Sequence, residues 1–138
     1  MILVDASVAL KWFLSEPGAE EAKQLSLDHD LYAPDLLASE VSNGLWKAVR
    51  RGALDPAHAV AATSTLEARF AAFLPTAPLA GEALELACEL DHPVYDCFYL
   101  ALARGKAWPL VTSDKRLQQK LSGTPYAALC RPLESAVG

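Results

Sequence analysis

Along the chain, short continuous apolar runs alternate with longer segments whose apolar residues recur every three or four positions. Met1–Val4 is the first run, as in a central strand covered on both faces, and Asp5 ends it. Val8–Leu14 reads as one or two helical turns with Ser7 as N-cap. After Pro17 and Gly18, Ala19–Leu27 is a helix with Leu25 inward and Glu20, Glu21 and Lys23 in solvent. Leu31–Ala33 is a short strand closed by Pro34. From about Asp35 to Arg51 runs a long helix with the apolar stripe Leu37, Val41, Leu45 and Ala48, ended by Gly52. Asp55 and Pro56 open the next helix, which reaches about Phe70. Phe73–Thr76 is a strand and Leu79–Leu90 a helix. Asp91-His92-Pro93 restarts the chain, with Asp91 as cap, into a helix from Val94 to about Arg104. Leu110–Thr112 is a strand, Lys115–Leu121 a helix and Tyr126–Cys130 a last strand, and the tail from Glu134 frays. This alternation implies an α/β fold with a mainly parallel sheet covered on both faces. No repeat, linker or low-complexity segment divides the chain, so residues 1–138 are expected to form a single domain.

Composition narrows the function. With 52% hydrophobic and 21% charged residues the chain is not disordered. A formal net charge of −5 argues against a passive nucleic-acid binder, which needs Lys and Arg on phosphates. It leaves room for an enzyme with an acidic, metal-screened centre. Cys88, Cys97 and Cys130 form no CxxC pair and read as buried reduced thiols. The opening apolar run stops at Asp5, and Lys11 follows, unlike an export signal; no stretch of about 18 apolar residues could span a membrane. A cytoplasmic protein is expected.

Most of the 17 acidic residues need no special explanation: Glu20, Glu21, Glu67, Glu82, Glu85 and Glu89 fall on polar helix faces, and Asp55 and Asp91 serve as caps. Four others are harder to dismiss. Asp5 follows the central strand, at the edge where open α/β sheets bind ligands, and serves equally as a cap for the next helix. Asp96 interrupts Val94–Ala103, a segment apolar around its whole circumference, where a lone carboxylate would cost several kcal/mol. Asp114 follows the strand Leu110–Thr112; by itself it reads as an N-cap. Glu40 lies on the long helix, with Lys47 and Arg51 each about 20° to one side of it and Asn43 nearby; by itself it reads as part of a solvated face. Residues so dispersed can converge only at the carboxyl edge of the sheet. There they would repel one another unless they held a hard cation such as Mg²⁺ or Mn²⁺. Such a centre suits phosphodiester hydrolysis by metal-activated water.

The blocks Ile2–Ser7, Pro34–Val41, Tyr95–Ala103 and Leu110–Leu117 then carry a resemblance that covers nearly the whole chain. The sequence resembles the PIN-domain family, and within it the ribonuclease toxins of type II toxin–antitoxin pairs, the VapC-like group. The resemblance implies a three-layer α/β/α sandwich. It implies Asp5, Glu40, Asp96 and Asp114 as catalytic and metal-holding residues, with Ser7 and Thr112 in support. It also implies endonucleolytic cleavage of RNA to a 5′-phosphate and a 3′-hydroxyl, an antitoxin partner that blocks the site, and a homodimer. Ser113 departs from the pattern, since a small apolar residue is common before the last acid.

On this reading Asn43 positions water or a phosphate oxygen. Lys11, Lys47, Arg50, Arg51, Lys115 and Arg116 are candidates for the RNA backbone, each otherwise a solubilising charge. Trp12, Phe13 and Leu14 exceed what one short helix buries, and either pack in the core or form a partner surface. The histidines His29, His58 and His92 receive no catalytic role. A phosphatase of the haloacid-dehalogenase type would need a second Asp where Ser7 stands, and a receiver domain would need its Asp at a middle strand end. The alternative from another class is a PIN-like module that binds metal or a partner without cleaving.

Overall fold

The strand placed at the centre by its apolar sequence is central in the structure. The computed structural model describes residues 1–137. Its five strands are β1 (Ile2–Val4), β2 (Leu31–Pro34), β3 (Ala72–Leu74), β4 (Leu110–Thr112) and β5 (Cys130–Pro132). All pair in parallel, in the order β3-β2-β1-β4-β5. β1 and β4 are buried at every residue, whereas the edge strands β3 and β5 are partly exposed. An uninterrupted apolar run suits only the first environment.

The chain leaves β1 in one direction along the sheet and later returns to the other side of it. The connections from β1 to β3 carry α1 (Ala6–Ala9, continued by a 3-10 turn at Leu10–Trp12), α2 (Ala19–Asp28), α3 (Leu37–Arg50) and α4 (Pro56–Leu66). Those from β3 to β5 carry α5 (Ala80–Leu90), α6 (Val94–Lys106) and α7 (Lys115–Leu121); α8 (Leu133–Ala136) follows β5. Right-handed crossovers travelling in opposite directions put the two groups of helices on opposite faces of the sheet. Accordingly α3 packs on α1 and α4, and α5 on α6, while α8 returns to α2.

The stripe Leu37, Val41, Leu45 and Ala48 is the buried face of α3, and Gly52, at a φ of 78°, takes the left-handed turn beyond it. Gly44 on the same helix lies against Leu10, where an added Cβ would come within 2.5 Å of a methyl carbon. This close approach seats the end of α1 on α3. Asp55 accepts from Ala57 N–H at 3.0 Å and Pro56 opens α4. Leu3, Val8, Leu25, Leu31, Leu37, Leu100 and Leu110 lie in one buried cluster between the layers. Each contributes about 1.5–3 kcal/mol of burial.

Several expectations need correction. Asp5, not Ser7, caps α1, accepting from Val8 N–H, because the Ser7 hydroxyl is turned toward the Asp5 carboxylate. Asp91 does not cap α6; it ends α5 in the left-handed conformation, with a φ of 51°, and Pro93 opens α6 without a side-chain cap. α4 gives way at Glu67 to a 3-10 turn. The third strand stops at Leu74, since Thr76 turns its hydroxyl to Asp35 at 2.9 Å. Residues Pro125–Leu129 form a 3-10 turn, so the last strand begins only at Cys130. The tail is held through Leu133, which is buried; Gly138 lies outside the described residues. Of the thiols, Cys97 is buried, Cys130 partly so and Cys88 exposed, and none forms a disulfide. α6 is buried through its middle, at Cys97 and from Tyr99 to Ala103, but Tyr95 on its first turn is 63% exposed and its last turn faces solvent. Among the described residues no helix is long and apolar enough to cross a membrane.

Candidate active site at the carboxyl edge of the sheet

β1 and β4 are neighbours whose onward connections run apart, and this opens a crevice beyond their carboxyl ends. Asp5 follows β1 there and Asp114 follows β4. Asp5 is only 5% exposed. Its Oδ1 accepts from Ser7 Oγ at 2.5 Å and from Val8 N–H at 3.3 Å, and its Oδ2 accepts from the Thr112 hydroxyl. The same two hydroxyls also accept backbone protons: Ser113 N–H donates across the strand ends to Ser7 Oγ at 2.9 Å, and Asp114 N–H donates locally to Thr112 Oγ1 at 3.0 Å. Two strand ends more than 100 residues apart are thereby clasped around one carboxylate. Burial pushes the Asp5 carboxyl up to about 6, with the negative charge of Asp96 adding to it, against the hydrogen bonds from Ser7, Thr112 and Val8.

The other acids arrive on helices or cap one. Glu40, in the first turn of α3, accepts from Tyr99 Oη–H at 2.8 Å. Burial pushes it up to about 7, aided by the charges of Asp96 and Asp5 and opposed by the Tyr99 hydrogen bond. Burial beside Glu40 holds the Tyr99 phenol well above its usual value. Asp96, in the first turn of α6, has Oδ2 2.6 Å from His92 Nε2. Asp114 does cap α7, accepting at Oδ1 from Arg116 N–H at 2.9 Å and Leu117 N–H at 3.2 Å. It also reaches the crevice: all four acids line one cleft of about 820 Å³.

As placed, no three His, Cys, Asp or Glu side chains among the described residues stand close enough to share one ion. The donor set nevertheless fits a hard divalent cation. The acids supply oxygen only, and the charge of Asp96 raises the cost of ionising both Asp5 and Glu40, as that of Asp5 does for Glu40. Asp96 Oδ1, Glu40 Oε2 and Asp114 Oδ2 have no hydrogen-bond partner among the described residues. Mg²⁺ keeps several waters and needs few direct carboxylates, so a loose acidic set suits it.

Comparison with known proteins identifies the fold family. The PIN domain family model matches residues 2–121. The chain belongs to the PIN domain family. Ribonuclease VapC3 of Pyrobaculum aerophilum is 34% identical to it over 122 residues, covering 86% of this chain and 93% of that protein. Ribonuclease VapC9 of Mycobacterium tuberculosis is 34% identical over 117 residues, covering 85% and 88%. The crystal structure of PAE2754 from Pyrobaculum aerophilum superposes with a TM-score of 0.74 at 29% identity, covering 97% of this chain and 91% of that one.

The basic residues of this PIN domain divide. Lys47 and Arg51 line the acidic cleft, along with Asn43, one and two turns or more beyond Glu40 on the α3 face. Arg50 turns away onto the Trp46 ring, 5.0 Å from its centroid. Lys11 is held by Pro17 O at 2.7 Å and Glu16 at 3.4 Å, and shares a neighbouring hollow with Ser113 and Lys115. Arg116 is exposed and lines neither space. Trp12 and Phe13 pack against the core, with Trp12 Nε1–H donating to Ala22 O at 2.9 Å, whereas Leu14 lines the cleft.

Two site residues escaped the sequence reading. Tyr99 has a buried hydroxyl, which requires a partner, but nothing in the sequence says that this partner is Glu40. His92 stands four residues before Asp96, a helical spacing that could have signalled the pair.

Proposed function

We propose that this PIN domain is a Mg²⁺- or Mn²⁺-dependent endoribonuclease, the toxin of a toxin–antitoxin pair, working in the cytoplasm as a homodimer that its antitoxin inhibits. The observation that carries the reading is the buried, hydroxyl-clasped Asp5, which faces Glu40, Asp96 and Asp114 across a cleft bordered by Lys47 and Arg51. A buried carboxylate with three further acids around the same cleft, whose negative charge a cation would relieve, is what a metal-dependent hydrolase requires.

In this reading Asp5, Asp96 and Asp114 hold the ion directly or through water, and Glu40 completes the shell. Activation of water and neutralisation of charge on the phosphate come from the bound ion. The protein's own part is orientation. Ser7 and Thr112 fix both oxygens of Asp5, and Tyr99 fixes one oxygen of Glu40. Lys47 and Arg51 bind phosphates of the strand leaving the acids, and Asn43 bonds a phosphate oxygen. The relatives named ribonuclease VapC support RNA as the substrate.

The test is incubation of purified protein with total RNA and Mg²⁺ or Mn²⁺, with Asp96→Asn as the control. Cleavage by the wild type alone, giving 5′-phosphate ends, is expected. Indistinguishable RNA from both would leave a PIN domain that binds metal or a partner without cleaving.

A further inference from the structure

His92 stands behind Asp96 and does not line the cleft. Its side chain is 13% exposed, and its Nε2 lies 2.6 Å from Asp96 Oδ2. The backbone that carries it is fixed on both sides. Asp91 ends α5 in a left-handed conformation, His92 N–H donates to Ala87 O at 3.2 Å, and Pro93 opens α6. From that anchor the ring meets the side chain one turn into α6.

We propose that His92 is a positioning residue: by donating from Nε2 to Oδ2 it fixes Asp96 and leaves Oδ1 for a divalent ion. The proposal rests on the reading of Asp96 as an ion ligand. A ring nitrogen at this distance from a carboxylate oxygen is a donor, and both the neutral Nε2–H tautomer and the imidazolium can fill that role. The contact therefore does not depend on the charge of the ring. Nor does His92 compete for the ion, because its Nε2 is turned to the carboxylate. The pattern matches the rest of the site. Asp5 is held by Ser7 and Thr112, Glu40 by Tyr99 and Asp96 by His92, so three of the four cleft carboxylates have a dedicated side-chain donor, while Asp114 is held by the backbone N–H groups of Arg116 and Leu117. Partners of this kind orient metal ligands, and their loss weakens metal binding roughly 10- to 100-fold.

The experiment measures Mn²⁺ binding to the purified protein without RNA, by electron paramagnetic resonance of the free ion. The variants are His92→Leu, which has no donor, and His92→Gln, whose amide can still reach Oδ2. His92→Leu is expected to weaken Mn²⁺ binding roughly 10- to 100-fold, and His92→Gln to recover most of the loss. Thermal unfolding without metal tells this from a structural role, which would lower the midpoint and leave Mn²⁺ affinity alone. If His92→Leu does not fold, His92→Asn, too short to reach Oδ2, replaces it. Affinity within twofold of wild type in the donor-less variant, or no recovery in His92→Gln, would overturn the proposal. A wild type that binds Mn²⁺ but leaves RNA intact removes the nuclease reading and leaves this test standing; one that binds no Mn²⁺ removes both.

Discussion

Asp5 carries a charge in a place that disfavours it, and that sets its pH behaviour. Its carboxyl is raised from 3.8 to about 6, and that of Glu40 from 4.5 to about 7. The folded protein thus keeps protons that the unfolded chain has released. Metal-free stability should therefore be highest at acidic pH and fall as pH rises from about 4 to 7, reaching its floor above the folded values. For Asp5 the penalty at neutral pH is about 3 kcal/mol. Asp5→Asn should abolish metal-dependent RNA cleavage and stabilise the metal-free protein by roughly 1–3 kcal/mol at pH 7.5, with little effect at pH 4. Urea unfolding at the two pH values checks this; equal stability of variant and wild type at pH 7.5 would contradict it. On the proposed reading, cleavage should follow the opposite course, rising between about pH 5 and 8 as Asp5 and Glu40 lose their protons. Tyr99→Phe removes the donor that lowers Glu40, so the rising limb of that profile should move to higher pH. Its stability change should stay near 1 kcal/mol, one hydrogen bond's worth.

At the scale of elements, the ends of helices did more to shape the site than their interiors. α5 and α6 both finish in the left-handed conformation without glycine, at Asp91 and at Ala107 with a φ of 56°. Such a residue costs roughly 1 kcal/mol when it is not glycine. Ala107→Gly, exposed and away from the cleft, should therefore stabilise the protein by about that amount with unchanged RNA cleavage, as equilibrium unfolding would show. The element ends were also where the sequence misled. Ile2-Leu3-Val4 was legible as a central strand because both its faces are covered. Cys130-Arg131-Pro132 was not, because an edge strand needs no apolar run and tolerates proline. Asp91 was misread because Asp suits both a cap and a left-handed turn.

For the molecule as a whole, a net charge of −5 leaves few places where the proposed RNA substrate could meet positive charge. Only Lys47 and Arg51 among the candidate cations line the acidic cleft. Lys47→Ala and Arg51→Ala should each weaken RNA binding across sequences and reduce the salt slope by about one, whereas Arg50→Ala should not. Fluorescence anisotropy with a labelled single strand over a salt series would read this. Equal slopes for all three would show that RNA does not follow the α3 face. The convergence of the four acids was legible from their spacing, because acids at two strand ends and on two helices can meet only at the carboxyl edge of the sheet, although singly Asp5 and Asp114 read as caps and Glu40 as part of a solvated face. The partner Tyr99 was not, since a hydrogen bond between residues 59 positions apart leaves no local trace; His92, four residues before Asp96, was within local reach but was passed over because a metal-bound water needs no histidine base.

The clasp around Asp5 also has an order in time. A growing chain presents Asp5 and Ser7 almost at once and Glu40 soon after, but the Thr112 hydroxyl and Asp114 only after most of the polypeptide has been made. Until β4 docks beside β1, the first carboxylate has half of its hydroxyl partners and no matching strand end across the crevice. On the proposed reading, the cleft is therefore assembled last of all, only once the final fifth of the chain has folded back onto its first few residues.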